Sequence, residues 1–126
     1  MYREVEFRAK SKLTRKWIYG NLIVKKTKQN ISTLENELYI YKYSIQYRNK
    51  SGKYTTKEVL EDTIQQYIGT GEYGRIYEGM KLYDEYAEEY CTIEYDKQEC
   101  GFRLFYDNYS EKIEDLDGLI ILDKEE

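Results

Sequence analysis

The chain contains no histidine and no proline, and only two of its 126 residues are cysteines. Without histidine, no catalytic dyad or triad built on an imidazole can form, and the commonest general acid and base near neutral pH is missing. A zinc site needs about four ligands, which carboxylates would have to complete here, so we predict no metal site. These absences favour a binding protein over an enzyme.

Long apolar runs are missing as well. No stretch of the sequence approaches the roughly 18 apolar residues that a membrane-spanning helix requires, so we predict no membrane partner. The chain begins Met-Tyr-Arg-Glu-Val-Glu, which does not resemble a signal peptide, so we expect a cytoplasmic protein. In that reducing compartment, Cys91 and Cys100 are expected to be small buried apolar residues of a hairpin rather than a disulfide.

Apolar and polar residues alternate along much of the chain, which is the period of a half-buried strand. This period predicts that residues 5–9 pair antiparallel with residues 16–25, and that residues 37–48 pair antiparallel with residues 53–59. The sequence therefore predicts a mainly β, small multi-sheet antiparallel fold with little helix.

The rest of the chain gives weaker patterns. Residues 27–36 lack a clear period and are predicted as a loop or a short helical turn, whereas residues 82–90 fit either a helix or a strand. Further short strands are predicted at residues 75–83, 90–95, 102–106 and 119–122. Because proline is absent, no element boundary can be placed from it.

Charge is divided unevenly between two parts of the chain. Residues 1–57 hold 14 Lys and Arg against 4 Asp and Glu, whereas residues 58–126 hold 6 against 20. The length predicts a single domain over residues 1–126, which the charge divides into a basic strand-rich lobe and an acidic lobe. Three interpretations stay open: the lobes neutralise each other within a chain or between subunits, the basic lobe binds nucleic acid, or the acidic lobe binds a basic protein surface.

A tyrosine ladder lies on one face of the predicted strand 37–48. Aromatic rings beside basic residues could stack the bases of a single nucleic-acid strand, but tyrosines also fill ordinary sheets and subunit interfaces. The candidate residues for nucleic-acid binding are Lys10, Lys12, Arg15, Lys16, Trp17, Lys25, Lys26, Tyr39, Tyr41 and Tyr43.

An acidic segment covers residues 84–99 and holds seven carboxylates against one lysine. No spacing within it singles out the carboxylate pair that glycoside chemistry needs. A row of carboxylates can instead occupy the basic surface of a protein partner. The candidate residues for this role are Asp84, Glu85, Glu88 and Glu89.

One segment resembles a nucleotide-binding motif. Residues 69–74 read Gly-Thr-Gly-Glu-Tyr-Gly, but a dinucleotide site requires this pattern to open a helix. The residues that follow, Arg-Ile-Tyr-Glu-Gly, are typical of a strand interrupted by glycine. We therefore predict a glycine-rich turn and no cofactor.

Two blocks of sequence carry a resemblance to a known family. The first is residues 3–9 followed by Lys-Trp-Ile-Tyr-Gly at residues 16–20, and the second is Thr-Ile-Gln-Gln-Tyr-Ile-Gly at residues 63–69 followed by Ile-Tyr-Glu-Gly at residues 76–79. Together they resemble the YopX-like family of phage and prophage proteins. The resemblance implies a β-rich, multi-sheet fold whose C-terminal part can form an SH3-like barrel, homo-oligomers, and action inside a bacterial host cell. It implies no catalytic residues.

These observations lead to one functional prediction and one alternative. The prediction is a phage or prophage accessory protein that binds a host or phage protein, with interference with a host defence or replication protein as one form. The alternative is a single-stranded nucleic-acid-binding protein that uses the basic and aromatic residues of the N-terminal half. Both are binding functions, and we predict no enzymatic activity.

Overall fold

The computed structural model describes residues 6–28 and 39–122, and it divides the chain into two compact units, Met1–Ile64 and Gln65–Glu126. The boundary between the units lies close to the change in charge between residues 57 and 58. Strands form 62% of the structure, and the only helical element among the described residues is one short 3₁₀ helix. The predicted mainly β, antiparallel fold with little helix is confirmed.

The first unit contains a four-stranded antiparallel sheet. Its strands are β1 (Phe7–Lys10), β2 (Trp17–Lys28), β3 (Tyr39–Arg48) and β4 (Tyr54–Glu58), followed by the 3₁₀ helix Glu61–Thr63. They lie in the order β4-β3-β2-β1. Both predicted hairpins are confirmed, since β1 pairs with the start of β2 and β3 pairs with β4. Residue 5 and residues 37–38 of the predicted strands lie outside the described residues, as do residues 29–36 of the predicted loop, while Thr27 and Lys28 belong to β2.

Strand β2 changes its pairing partner partway along its length. Residues 17–20 pair with β1, whereas residues 21–28 pair with β3, a pairing that the sequence did not predict. The change occurs at Gly20, where a methyl group would lie 2.2 Å from the carbonyl oxygen of Gln46. Only glycine allows this close approach of β3, at a φ of 158° that other residues rarely adopt.

The sheet of the first unit curls round a small core. An isolated bridge joins Ser11 to Val59, and the backbone N–H of Leu60 donates to the carbonyl of Lys10 at 3.0 Å, so the chain after β4 meets the end of β1. The curl encloses three buried residues and their half-buried neighbours. These residues are Ala9, Ile45 and Val59, with Phe7, Ile18, Leu22, Tyr43, Tyr47 and Ile64 packed against them.

The second unit contains a hairpin and a five-stranded sheet. The hairpin is β5 (Gln65–Gly71) with β6 (Gly74–Tyr77), and the sheet strands are β7 (Leu82–Asp84), β8 (Glu89–Asp96), β9 (Gly101–Phe105), β10 (Ser110–Lys112) and β11 (Leu119–Ile121). The sheet order is β10-β9-β8-β7-β11, which leaves β10 and β11 as edge strands among the described residues. The SH3-like barrel expected in the C-terminal part remains a prediction.

Two ambiguous segments of the second unit are settled by the pairings. Residues 82–90 form a strand, a turn and the start of a second strand, because β7 pairs antiparallel with β8. The segment 69–74 covers the end of β5, a turn at Glu72 and Tyr73, and the start of β6, with Gly71 opposite Gly74. The predicted glycine-rich turn is confirmed. A methyl group at Gly71 would lie 2.4 Å from the carbonyl oxygen of Leu116, so glycine is required there for packing within the unit.

The two cysteines lie on one hairpin but far apart. Cys91 is buried on β8, Cys100 is exposed in the turn before β9, and both are free thiols. The pairing of Asp96 with Gly101 places Cys91 five positions away from the turn, so no disulfide can bridge them. Within the described ranges, no helix has the length and apolar character needed to cross a membrane.

The two thiols are expected to differ strongly in reactivity. Burial, followed by the charges of Asp84 and Glu89, raises the pKa of Cys91 to about 11, so roughly one Cys91 in a thousand is a thiolate at about pH 8. An aromatic disulfide reagent should label one thiol rapidly in the native protein and the second only after unfolding. Cys100→Ser should remove the rapid phase, whereas Cys91→Ser should keep it. Rapid labelling of both native thiols would contradict this placement of Cys91.

Candidate functional site

The most exposed part of the first unit is a two-stranded ribbon, which we call the arm. It consists of residues 23–28 of β2 and residues 39–42 of β3. Among the described residues, β1 pairs with residues 17–20 of β2 and β4 pairs with residues 44–48 of β3, so no described strand pairs alongside the arm. Every residue of the arm is exposed. A two-stranded ribbon whose side chains are all exposed buries little apolar surface of its own, so its surface is a candidate binding face.

One face of the arm, the tyrosine face, alternates lysine with tyrosine. Residues directly opposite in an antiparallel pair share a face, and the register places Lys26 opposite Tyr41 and Lys28 opposite Tyr39. The ammonium group of Lys26 lies 3.9 Å from the ring centroid of Tyr39 and 5.9 Å from that of Tyr41. Towards the core, the same face ends at buried Ile45. The core face of β3 therefore continues outward as an exposed row of cations and aromatic rings.

The other face of the arm, the lysine face, holds a pair of like charges. Lys25 lies directly opposite Lys42, and Thr27 lies opposite Ile40. Like charges at directly opposite positions destabilise a sheet. No carboxylate of the described residues forms an ion pair with either lysine. An anion bound between these two ammonium groups would relieve their repulsion.

The other basic candidates lie far from the arm. Lys12, Arg15 and Lys16 are exposed in the turn between β1 and β2. Lys16 and Lys25 are nine residues apart, which corresponds to roughly 30 Å along an extended strand. Lys12 also forms an ion pair with Glu58, at 3.6 Å. The structure therefore divides the basic candidates into two groups rather than bringing them onto one face.

Two aromatic candidates are engaged inside the unit. The guanidinium of Arg8 lies 3.9 Å from the ring centroid of Trp17, and the ammonium of Lys10 lies 5.3 Å from it, so this ring is already stacked against cations. Tyr43 is half-buried against the core, and burial together with a hydrogen bond to Glu61 raises its pKa. Of the tyrosine ladder, only Tyr39 and Tyr41 present exposed rings.

Asp84 is buried, and both of its carboxylate oxygens accept hydrogen bonds. One oxygen accepts the backbone N–H groups of Tyr86 and Ala87, at 2.9 and 3.2 Å, which closes the turn after β7. The other accepts the hydroxyl of Tyr106 at 2.6 Å. Burial and this bond to a carboxylate raise the pKa of Tyr106. Asp84 is therefore a structural residue of the second unit rather than a surface for a partner.

Two further acidic candidates are also hydrogen-bonded to tyrosines. Glu85 accepts the hydroxyl of Tyr73 at 2.7 Å, and Glu89 accepts the hydroxyl of Tyr109. Each bond, more than the partial burial, raises the pKa of its tyrosine to about 12. Glu88 is exposed in the turn, at a φ of 55°. Most of the predicted row of carboxylates is thus engaged in bonds within its own unit.

The described residues contain no group of three or more Cys, Asp or Glu side chains that could hold a metal ion. No family model, curated protein or solved structure matches the chain. The resemblance to the YopX-like family and its implied oligomer therefore remain predictions. Two arm residues, Lys28 and Lys42, were missed as candidates, although β2 and β3 were both expected to be long strands.

Proposed function

We propose that this chain binds nucleic acid through its arm. The observation that carries the proposal is an exposed ribbon with four lysines, two exposed tyrosine rings and no carboxylate in residues 23–28 and 39–42. Phosphates would neutralise the repulsion between Lys25 and Lys42. The rings of Tyr39 and Tyr41 offer additional contacts to bases or sugars.

The expected interaction energies favour a nucleic acid, with its many phosphates, over a protein surface with a few carboxylates as the ligand of the arm. An exposed ion pair with a protein carboxylate contributes about 0–1 kcal/mol, because water and salt screen it. A nucleic acid presents phosphates at a regular spacing, and each contact releases condensed counterions. A base stacked on an aromatic ring adds roughly 1–3 kcal/mol. Four lysines beside two tyrosines match this combination.

The test is a salt titration with a labelled oligonucleotide of about 20 nucleotides, as a single strand and as a duplex. If all four lysines contact phosphates, log affinity should fall against log salt with a slope of about −2.8 for the single strand and −3.6 for the duplex. Between about 50 and 200 mM salt, this corresponds to a loss of roughly 50-fold or more. Fluorescence anisotropy of the labelled oligonucleotide measures the affinity at each salt concentration, and the slope follows from these values.

A charge-reversal variant and a matched control locate the binding. Lys25→Glu/Lys26→Glu should weaken binding by more than about tenfold, because it removes two phosphate contacts and repels the strand. Lys25→Glu also places a carboxylate opposite Lys42, so the arm itself should stay paired. Lys50→Glu/Lys53→Glu makes the same change of charge in the turn between β3 and β4, at the other end of β3. Equal losses in both variants, or no binding at about 50 mM salt, would reject the arm as the site.

A protein partner is the second candidate function, in keeping with the predicted accessory protein. It is favoured by the exposed apolar side chains of Ile23, Val24 and Ile40, which lie between the lysines of the arm. Exposed Glu88 and Glu94 leave a reduced acidic surface on the second unit. Capture from nuclease-treated bacterial lysate should then recover a protein with the wild-type chain. Loss of that protein with the arm variant would assign it to the arm, whereas loss with charge reversal at Glu88 and Glu94 alone would assign it to the acidic segment.

A further inference from the structure

The turn between β1 and β2, which we call the tip, covers residues 11–16 and presents an exposed leucine among cations. Leu13 is 92% exposed. Backbone hydrogen bonds close the turn, since the N–H of Ser11 donates to the carbonyl of Lys16 at 2.9 Å and the N–H of Arg15 donates to the carbonyl of Ser11 at 2.8 Å. Neither Arg15 nor Lys16 forms an ion pair with a described residue. The tip therefore holds an apolar side chain in water beside two uncompensated cations.

The second unit contains an open cleft of about 660 Å³ with an apolar floor and an acidic rim. Buried Leu104 and Leu119 contribute to the floor. The rim carries four exposed carboxylates from β10 and from the connection between β10 and β11. These carboxylates belong to Glu111, Glu114, Asp115 and Asp117.

Two cations also line the cleft, but they do not neutralise its rim. The guanidinium of Arg103 lies 3.9 Å from the carboxylate of Asp96 and donates to the hydroxyl and the carbonyl of Ser110, each at 3.2 Å. Lys112 is then the one remaining cation of the lining, against four rim carboxylates. No ion pair among the described residues joins it to them. The rim thus keeps a net negative charge.

The tip and the cleft are complementary in charge and in polarity. Residues 10–16 contain four Lys and Arg and no carboxylate. Pockets of about 300–1,000 Å³ enclose drug-sized molecules, so the cleft has room for the Leu13 side chain with part of its turn. A nucleic acid or an anionic lipid surface could cover the tip, but neither could cover an acidic cleft. A second copy of the chain covers both surfaces.

We propose that the tip of one copy docks into the cleft of another copy, with Leu13 against the apolar floor and with Arg15 and Lys16 against the acidic rim. The two contacting surfaces differ, so the contact is heterologous and builds a ring or an open chain of copies. Nucleic-acid binding by the arm neither requires nor excludes this contact. A turn in a cleft buries a small area, typical of transient complexes, and its charges are screened by salt. We expect a micromolar dissociation constant that rises by about fivefold or more between about 50 and 300 mM salt.

Two variants of the full-length chain, one for each surface, test the proposal by sedimentation equilibrium after nuclease treatment. Leu13→Gln/Lys16→Gln alters the tip, and Glu111→Lys/Glu114→Lys reverses two charges of the rim. All four side chains are exposed, so a far-ultraviolet spectrum should show an unchanged fold. Each variant alone should self-associate at least about tenfold more weakly than the wild-type chain.

Matched controls change charge elsewhere on the same units. Lys50→Gln lies in the turn between β3 and β4, and Glu88→Lys/Glu94→Lys makes the same charge reversal on exposed residues of the second unit. Both controls should self-associate as the wild-type chain does.

A mixture of the two variants gives the sharpest result. The tip variant keeps an intact cleft and the cleft variant keeps an intact tip, so an equimolar mixture should form a dimer of twice the monomer mass of 15.3 kDa and nothing larger. A wild-type chain that stays monomeric up to about 200 μM at about 50 mM salt would overturn the proposal and leave each surface to a different partner. Self-association that only one variant weakens, or a mixture that stays monomeric, would also overturn the pairing of tip with cleft.

Discussion

Replacing Ile45 with alanine is expected to lower the free energy of unfolding of the first unit by about 2–5 kcal/mol. Ile45 is fully buried, and among the described residues its core holds two other buried apolar residues, Ala9 and Val59. Such a small core has few side chains that can move to fill the space of the lost methylene and methyl groups. The only tryptophan, Trp17, lies in the same unit, so its fluorescence during urea unfolding reports on this unit directly.

Ile40→Ala is the matched control, because it makes the same chemical change on the same strand. Ile40 is 43% exposed on the arm, beyond the end of β4. Its truncation should change the free energy of unfolding by no more than about 0.5 kcal/mol. The difference between the losses in free energy of unfolding at Ile45 and Ile40 shows that the core ends and the arm begins between these two residues. A loss at Ile40 as large as that at Ile45 would show that the arm is packed rather than exposed.

The local pairings were predictable because period-two alternation and turn residues determine them. The turn at residues 49–52 joins β3 to β4 as expected, with Asn49 accepting the backbone N–H groups of Ser51 and Lys53. The pairing of β2 with β3 was not predicted, because it depends on where β2 leaves β1. That position is set by the contact of Gly20 with Gln46, which joins residues distant in sequence. The alternation of apolar and polar residues in β2 does not indicate at which residue β2 leaves β1.

The candidate site was predictable in residue type but not in exposure. Alternation placed Tyr39, Tyr41, Tyr43 and Ile45 on one face of a strand, and the register agrees with that placement. Whether each ring is covered depends on the lengths of the neighbouring strands. The pairing of β4 with β3 ends at Ser44, and beyond half-buried Tyr43 the side chains of residues 39–42 are exposed. The sequence therefore predicted an aromatic face, and the ends of other strands decided which part of it is available to a ligand.

The hydrogen bonds of the acidic candidates were unpredictable for a related reason. Composition counts carboxylates, but it cannot show that a tyrosine from a distant strand donates to them. Asp84 and Tyr106 are 22 residues apart in sequence and meet across the sheet order β9-β8-β7. With 16 tyrosines in the chain, hydrogen bonds between tyrosine hydroxyls and carboxylates are an available use for many of the acids. Net charge alone thus overestimated the acidic surface that remains for a partner.

Asp84→Ala is expected to destabilise the second unit by about 3 kcal/mol or more. The substitution removes the acceptor of three hydrogen bonds, one from the hydroxyl of Tyr106 and two from backbone N–H groups in the turn after β7. The Tyr106 side chain is buried, so its hydroxyl would lose its partner in a place that water reaches poorly. Hydrogen exchange of the β7 and β9 amides should report the loss, since Trp17 lies in the other unit.

Asp84→Asn separates the structural role from a binding role. The amide keeps the shape of the side chain and an oxygen that accepts the turn N–H groups, while its NH₂ group can donate to the hydroxyl of Tyr106. We therefore expect a loss of only about 1 kcal/mol, together with unchanged affinity for the labelled oligonucleotide. If Asp84 served a basic protein partner instead, removing its charge would weaken that complex as much in Asp84→Asn as in Asp84→Ala, at nearly native stability. A stability loss confined to Asp84→Ala, with no partner affected by Asp84→Asn, assigns this carboxylate to the turn and to Tyr106.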